Sequence, residues 1–343
     1  MKKASIAAVA LALTAMGVQA QSSVQLMGTA DMYVGSIRMA GDAASKSTVG
    51  SGGMTTSWWG MKGTEDLGGG LKANFAFTSF MRMNTGTVGR FANDPMFSRD
   101  ANVGLSGAFG AVQVGRGLAP NFLPTVIFNP FGDSFAFSPL VLHANVPLFN
   151  GTGWTATTPS DTGWASEIIY STPKMGGLSA NVHYQIGEVA GASGKHNIGV
   201  NALYFSGPLA LTAFYERDQI TNPGSQVLFA GGATRTDWML GGSYDAGVVK
   251  GFLTYGEAKN DVTAFKTKTT SAGASVPMAG GLGKLLAGFA TTRVEGGNKR
   301  DTLTVGYDYN LSRRTDIYAN VMHDKITTFT GGTSYAVGMR HKF

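Results

Sequence analysis

The stretch Thr302-Leu-Thr-Val-Gly-Tyr-Asp-Tyr-Asn-Leu311 decides how the chain is read. Leu303, Val305, Tyr307, Tyr309 and Leu311 alternate with Thr302, Thr304, Gly306, Asp308 and Asn310. That two-residue period belongs to a strand whose two faces meet different surroundings. The same alternation recurs in both directions along the chain. Leu71, Ala73, Phe75 and Phe77 alternate with Lys72, Asn74, Ala76 and Thr78, and Val337, Met339, His341 and Phe343 with Gly338, Arg340 and Lys342. Further two-faced runs begin near Val24, Leu178, Ile198, Leu209 and Val249.

Alternation suits a soluble sandwich as well as a barrel, so the connections have to decide. One set is short and made of turn residues: Gly68 to Gly70, Gly110, Pro173 to Gly177, Gly207-Pro208, Ala246-Gly247, Pro277 to Gly281 and Ser312-Arg313. The other set is long and polar, at 38–54, 84–98, 118–164, 187–196, 218–235, 259–267, 295–300 and 324–332. The two sets alternate and join sixteen strands, beginning near residues 24, 55, 71, 100, 111, 166, 178, 197, 209, 236, 248, 268, 283, 301, 315 and 333. An even number of antiparallel strands with tight turns at one end and long loops at the other predicts an all-β, 16-stranded transmembrane β-barrel with a water-filled lumen. In lipid every backbone N–H and C=O must be paired internally, and strands achieve this only by closing on themselves. Tyr184, Tyr204, Tyr215, Tyr307 and Tyr309 share the outward parity near strand ends and suit an aromatic girdle.

Composition agrees. Of 343 residues 49 are glycine, 14% are charged, 10% are aromatic and none is cysteine. This excludes a coiled coil, a disordered chain, disulfides, thiol chemistry and thiolate-bound zinc. Met1-Lys2-Lys3, the small-to-apolar run Ala4 to Val18 and Val18-Gln19-Ala20 form a secretory signal peptide pattern with cleavage expected after Ala20, leaving the barrel as residues 21–343. The net charge of +6 falls to +4 when the two lysines of that segment are removed. No block of five or more basic residues occurs, so a nucleic-acid partner is not expected.

Six stretches carry a resemblance to a known family. They are QSSVQLMGTAD at 21–31, GMKGTEDLGGGLKANF at 60–75, RDANVGLSGAFGAVQVGR at 99–116, IIYSTPKMGGLSANVHYQIGE at 168–188, TLTVGYDYNLSRRTDIYANV at 302–321 and YAVGMRHKF at 335–343. In order along the chain they resemble the trimeric general porins of beta-proteobacteria, Gram-negative outer-membrane channels of sixteen strands. The resemblance implies a homotrimer in the outer membrane, in contact with lipid and lipopolysaccharide, passing ions and small solutes by diffusion. It also implies that Phe343 is the signal read by the barrel-assembly machinery, beside its simpler reading as a girdle aromatic on the closing strand.

The resemblance further implies that the third extracellular loop folds into the lumen and narrows it. That connection is the longest here and carries five phenylalanines between Asn121 and His143, among them Phe128, Phe131 and Phe135, with Asp133 as its one carboxylate there. So much apolar surface calls for shelter against the inner wall. By parity Trp58, Lys62, Lys72, Thr78 and Arg82 point inward, with Asp31 and Tyr33 on the first strand. Trp58 and Thr78 stand where many relatives have an arginine and a glutamate. Arg116 and Arg99 match arginines kept near the loop, but the parity of Arg99 points outward, beyond the membrane edge. The expected constriction is therefore Trp58, Lys62, Thr78, Arg82 and Arg116 against Phe128, Phe131, Asp133 and Phe135. Each inward cation reads equally as a solvated lumen charge, and Trp58 as a packing residue beneath the loop. Fewer wall charges than in typical relatives and an aromatic loop lead to an expectation of weaker ion selectivity than theirs and a preference for small anionic or aromatic solutes.

Five scattered histidines give no metal-ligand spacing, and no cofactor or metal is expected. Glu65-Asp66 falls in a tight turn, where a hydrogen-bonding role outweighs acid–base work. The alternatives are an outer-membrane barrel enzyme of lipase or protease type, for which no Ser/His/Asp spacing is evident, and an adhesive surface barrel.

Overall fold

The computed structural model describes residues 23–90, 94–144, 162–188, 190–192, 196–219, 234–260 and 266–343. The export signal assigned to residues 1–20 lies outside them. The first strands are β1 Ser23–Ile37, β2 Lys46–Ser51, β3 Trp58–Gly68, β4 Leu71–Arg82, β5 Thr87–Val88, β6 Asp100–Gly107 and β7 Gly110–Leu118. Two short helices follow, α1 Phe122–Ile127 and α2 Pro139–Ala144. Next come β8 Gly163–Ser171, β9 Leu178–Gln185, β10 Ile198–Ser206, β11 Leu209–Gln219, β12 Thr234–Asp245 and β13 Lys250–Asn260. The chain ends with β14 Lys266–Met278, β15 Gly283–Val294, β16 Lys299–Asn310, β17 Thr315–Ile326 and β18 Gly332–Lys342.

Each wall strand pairs antiparallel with its neighbours, and β1 pairs with β18, Asp31 opposite Arg340 and Val34 opposite Val337. The sheet is thereby closed and leaves no edge for another chain to add to. β2 and β3 both pair with β1 as two parts of one wall strand, while β5 pairs only with the end of β4. The wall therefore has sixteen strands. β2 lies inside the span 38–54 read from sequence as a loop, and β5 inside 84–98. The interruption between β2 and β3 has a local cause. The Asp31 carboxylate accepts the backbone N–H groups of Gly53, Met54 and Thr55 and the hydroxyl of Tyr318. Ser57 Oγ donates to the Asp31 carbonyl and accepts its N–H. A carboxylate facing inward thus draws residues 53–55 off the wall, and satisfies donors that the ladder no longer pairs.

Parity is kept around the barrel. On β17 Ile317, Ala319, Val321, His323 and Lys325 are exposed, while Asp316, Tyr318, Asn320, Met322, Asp324 and Ile326 are buried. The exposed face is apolar over most of its height and the buried face largely polar, the inverse of a soluble sandwich. At closure, Gly28 and Phe343 exchange both backbone hydrogen bonds, at 3.0 and 3.1 Å. A Cβ on Gly28 would stand 2.5 Å from the Phe343 ring, so the terminal aromatic lies over a residue with no side chain.

The candidate channel and its constriction

The described part of the third loop, residues 119–144, makes its wall contacts with inward positions. Asn121 Nδ2 donates to Glu216 Oε1 at 2.7 Å, and Asn201 Nδ2 to the carbonyl of Pro120 at 2.9 Å. Phe128 packs on Leu203 and Ala210, Phe131 on Met54, Leu286 and Tyr318, and Phe137 on Leu142, Met322 and Ala336. Leu140 of α2 packs on Phe214 and Met239. His143 bridges Thr292 and Thr302, both at 2.8 Å, and Arg300 Nη1 donates to the Leu142 carbonyl at 3.2 Å. Burial and the neighbouring Arg300 hold the His143 imidazole well below its ordinary pKa, so it is neutral and serves as a hydrogen-bond bridge. The wall makes room for these rings with glycines. A Cβ on Gly273 would meet Pro130 at 2.6 Å, and one on Gly288 or Gly306 would meet Phe131 at 3.1 or 3.0 Å.

These contacts cover β10–β12, β14–β18 and β1. Inward positions on the remaining arc carry a run of uncharged hydrogen bonds. Thr64 donates to Asn74, Asn74 to Ser106, Gln113 to Asn102, Ser171 to Asn181 and Asn181 to Asn201. At its loop end stands a charged group. Arg99 lies over the Trp58 ring, 4.2 Å from its centroid, and its Nη1 is 2.8 Å from Asp100 Oδ2. The same oxygen accepts Thr78 Oγ1 at 2.6 Å and lies 3.8 Å from Lys62 Nζ. One carboxylate thus serves two cations. Lys62 keeps 43% of its side chain exposed, against 10% for Asp100.

Asp133 faces this group from the loop. Its backbone carbonyl accepts Thr56 Oγ1 at 3.4 Å, and its side chain is hydrogen-bonded to Thr55. Burial, opposed by Thr55, Arg99 and Arg340, pushes the carboxyl up to about 6. Arg340 holds Asp316 at 3.1 Å and Asp308 at 3.5 Å and donates to Thr55 Oγ1 at 2.8 Å.

The residues expected at a constriction are thus sorted. Trp58, Lys62, Thr78 and Asp133 come together around Arg99 and Asp100. Arg99 is a correction: it precedes the first residue of β6, so strand parity does not govern it, and its guanidinium turns inward onto Trp58. Phe128 and Phe131 are 1% and 0% exposed. They present no surface to a solute and act as anchors. Phe135 and Arg82 are half-buried. Arg116 sits at a bulge in β7, where its Nε donates to the Ser98 carbonyl at 2.6 Å, and lies near Asp94 and Glu167. Arg235 with Glu216 and Asp237, Arg300 with Asp324, and Arg340 with Asp308 and Asp316 are buried ion pairs of the inner face. Sequence reasoning passed over Asp100, although it follows Arg99 and shares the inward parity of Asn102.

The chain matches the Gram-negative porin family over residues 7–328. It is 31% identical to outer membrane porin protein 32 of Delftia acidovorans and 28% identical to an outer membrane porin of Bordetella pertussis, in both cases over the whole of each chain. Among solved structures, an anion-selective porin from Comamonas acidovorans superposes with a TM-score of 0.76 at 28% identity, covering 94% of this chain and 100% of that one. OmpT of Vibrio cholerae, in a form lacking its loop L8, shares the fold at 16% identity with a TM-score of 0.69, covering 94% and 99%.

Proposed function

The chain belongs to the Gram-negative porin family, and from that premise we propose how its lumen sorts the solutes it passes. It is an outer-membrane porin, a water-filled barrel for passive diffusion of ions and small solutes, and not an enzyme. Asp133 on the third loop and the group Lys62, Arg99, Trp58 and Asp100 on the wall bound the narrow part of the path. The constriction favours small anions. The observation that carries this reading is that Lys62 and Arg99 share the single carboxylate of Asp100, with Lys62 the more open to water. An anion passing Lys62 meets a cation only partly compensated by Asp100, and one with an aromatic ring also meets the half-buried Trp58. The relative from Comamonas acidovorans is described as anion-selective, which accords with this. By family likeness the working unit is a homotrimer, and Phe343 is the residue read by the barrel-assembly machinery.

The test is the reversal potential of the purified protein in a planar bilayer under a salt gradient, for the wild type and Lys62→Gln. The wild type is expected to prefer anions. A charge roughly 5 Å from the ion path in water favours an anion and disfavours a cation by about 0.8 kcal/mol each, so Lys62→Gln lowers the anion-to-cation permeability ratio by up to about sixteenfold, less as salt screens the charge. An unchanged ratio removes Lys62 from the constriction.

A further inference from the structure

We propose that the inner face of β10–β13, on the tight-turn side of the third loop, carries a second solute site, an aromatic ledge edged by a lysine that takes small aromatic carboxylates. It rests on the reading of the lumen as a diffusion path that favours anions. Large apolar side chains are exposed at outward positions around the wall, where lipid accounts for them. Phe205 is 48% exposed, yet it has the inward parity of Asn201 and Leu203, which touch the third loop. Among the described strand residues it is the one large apolar side chain that is both exposed and inward. Lipid cannot cover it, and a solute in the lumen can.

The ladder places a second ring beside it. Phe205 stands opposite Ala210, Ala210 opposite Ser243 and Ser243 opposite Phe252, so the four lie in one rung of the inner face. Phe252 is half-buried and shares the inward parity of Thr254 and Ala258. The two aromatic positions are three strand spacings apart, roughly 14 Å at about 4.8 Å each, with only small side chains between them. A flat solute lying over that interval has an aromatic ring on either hand. The loop bounds the ledge from above. Phe128, packed on Leu203 and Ala210, stacks on Phe205 with ring centroids 6.5 Å apart. Pro130 lies over Gly273, which stands opposite Phe252 in the same rung. Phe205 is thus held by an anchored ring while nearly half its surface stays open.

Lys250 supplies the charge. It lies two residues nearer the tight turn on the same face of β13, with Nζ 5.2 Å from the centroid of the Phe252 ring. Asp245 stands opposite it on β12 but turns Oδ1 to the backbone N–H of Gly247 at 2.9 Å, and among the described residues Lys250 has no ion-pair partner. A carboxylate on Lys250 with its ring against Phe252 and Phe205 engages both features. An inorganic anion engages only the cation, and a neutral aromatic only the rings. The ligand class is therefore the ionised aromatic acid. By strand order β13 lies nearly across the lumen from β3, which carries Trp58 and Lys62, so ledge and constriction are separate stations on one path.

The experiment is block of chloride current through the purified protein in a planar bilayer, with benzoate and acetate as probes. The channels are wild type, Lys250→Gln, the double variant Phe205→Leu, Phe252→Leu, and Trp58→Leu. Leucine keeps an apolar side chain at each position, and heat-modifiable gel mobility checks that each barrel is folded. Benzoate is expected to block the wild type at lower concentration than acetate. The double leucine variant should need roughly fivefold more benzoate for half block, the loss of an aromatic contact, with acetate unaffected. Lys250→Gln should need about fourfold more of either acid, the effect of one charge roughly 5 Å away in water. Trp58→Leu should keep most of the advantage of benzoate over acetate. Benzoate block within 1.5-fold (about 0.2 kcal/mol) of wild type in both ledge variants overturns the proposal. So does an advantage of benzoate that vanishes in Trp58→Leu and persists in the double leucine variant, which places ring recognition at the constriction. The reversal potential of the same channels judges the anion preference separately: a cation-preferring wild type refutes the constriction reading, and the comparison of benzoate with acetate still decides the ledge.

Discussion

Replacing Phe131 with alanine separates an anchored loop from one that merely lies in the lumen. The ring is 0% exposed, packed between Met54, Leu286 and Tyr318 and seated over Gly288 and Gly306. Phe→Ala at such a site costs about 3–5 kcal/mol, and the two glycines cannot extend into the space vacated. The strand ladder takes no bond from this ring, so the cost falls on local docking of residues 129–138 and not on the barrel. Two backbone N–H groups report it: that of Phe137, which donates to Ser134 Oγ at 2.8 Å, and that of Ser138, which donates to the Ser134 carbonyl at 3.2 Å. If they open with the loop, a loss of about 3–5 kcal/mol speeds their amide exchange by about two to three and a half powers of ten. Hydrogen exchange read by mass spectrometry on peptides covering 129–138 measures this, with heat-modifiable mobility on a gel as the check that the barrel is intact. Phe131→Leu, which fills more of the site, is expected to fall between. Exchange within threefold of wild type in an intact Phe131→Ala barrel refutes the assignment of Phe131 as an anchor.

Two further perturbations follow from the same geometry. Asp31→Ala leaves the N–H groups of Gly53, Met54 and Thr55 and the Tyr318 hydroxyl without their acceptor. At about 1–3 kcal/mol for each stranded donor, the temperature at which the barrel loses its compact gel mobility should fall markedly, and Asp31→Asn should retain part of the difference. Asp133 has its carboxyl pushed up to about 6 by burial, above its unfolded value, so the docked loop binds the proton more tightly than the free one. Docking therefore strengthens as pH falls from about 6 toward the ordinary carboxylate range, and is weaker at neutral pH. The loop also loses its negative charge over the same interval. Anion preference should rise as pH falls through about 6, read as a shift in reversal potential, and Asp133→Asn should show the low-pH preference at both ends.

The wall was legible because parity is a local property. In β16, Leu303, Val305 and Tyr307 face lipid for a reason present in the strand itself: an outward charge would meet hydrocarbon. The ladder then fixes every neighbour once one register is set. The lumen obeys no such local rule. Thr78 looks neutral in sequence, yet it shares an acceptor with Lys62 and Arg99, which come from other segments. Arg99 defeated parity because it stands one residue before the strand begins. Phe128 and Phe131 were recognisable as surface in need of shelter, but whether they bounded the opening or held the loop depended on wall residues far away in the chain. Leu203, Leu286 and Tyr318 answer that question.

The glycines make the same point from the wall side. Gly273 and Gly288 stand opposite one another on β14 and β15, well inside their strands, where glycine weakens a strand and places no side chain on its faces. Read alone they look like a defect. With the loop in place, the missing side chains are the room taken by Pro130 and Phe131. The barrel wall is stiff because its backbone bonds are closed on themselves, so it cannot bend to admit a ring. The fit has to come from side-chain size, small residues on the wall opposite large ones on the loop. An alanine at Gly288 would press on Phe131 at 3.1 Å, and any larger residue would displace it. The position of Asp133, two residues further along, thus depends on side chains absent from β14–β16 as well as on the cations it faces.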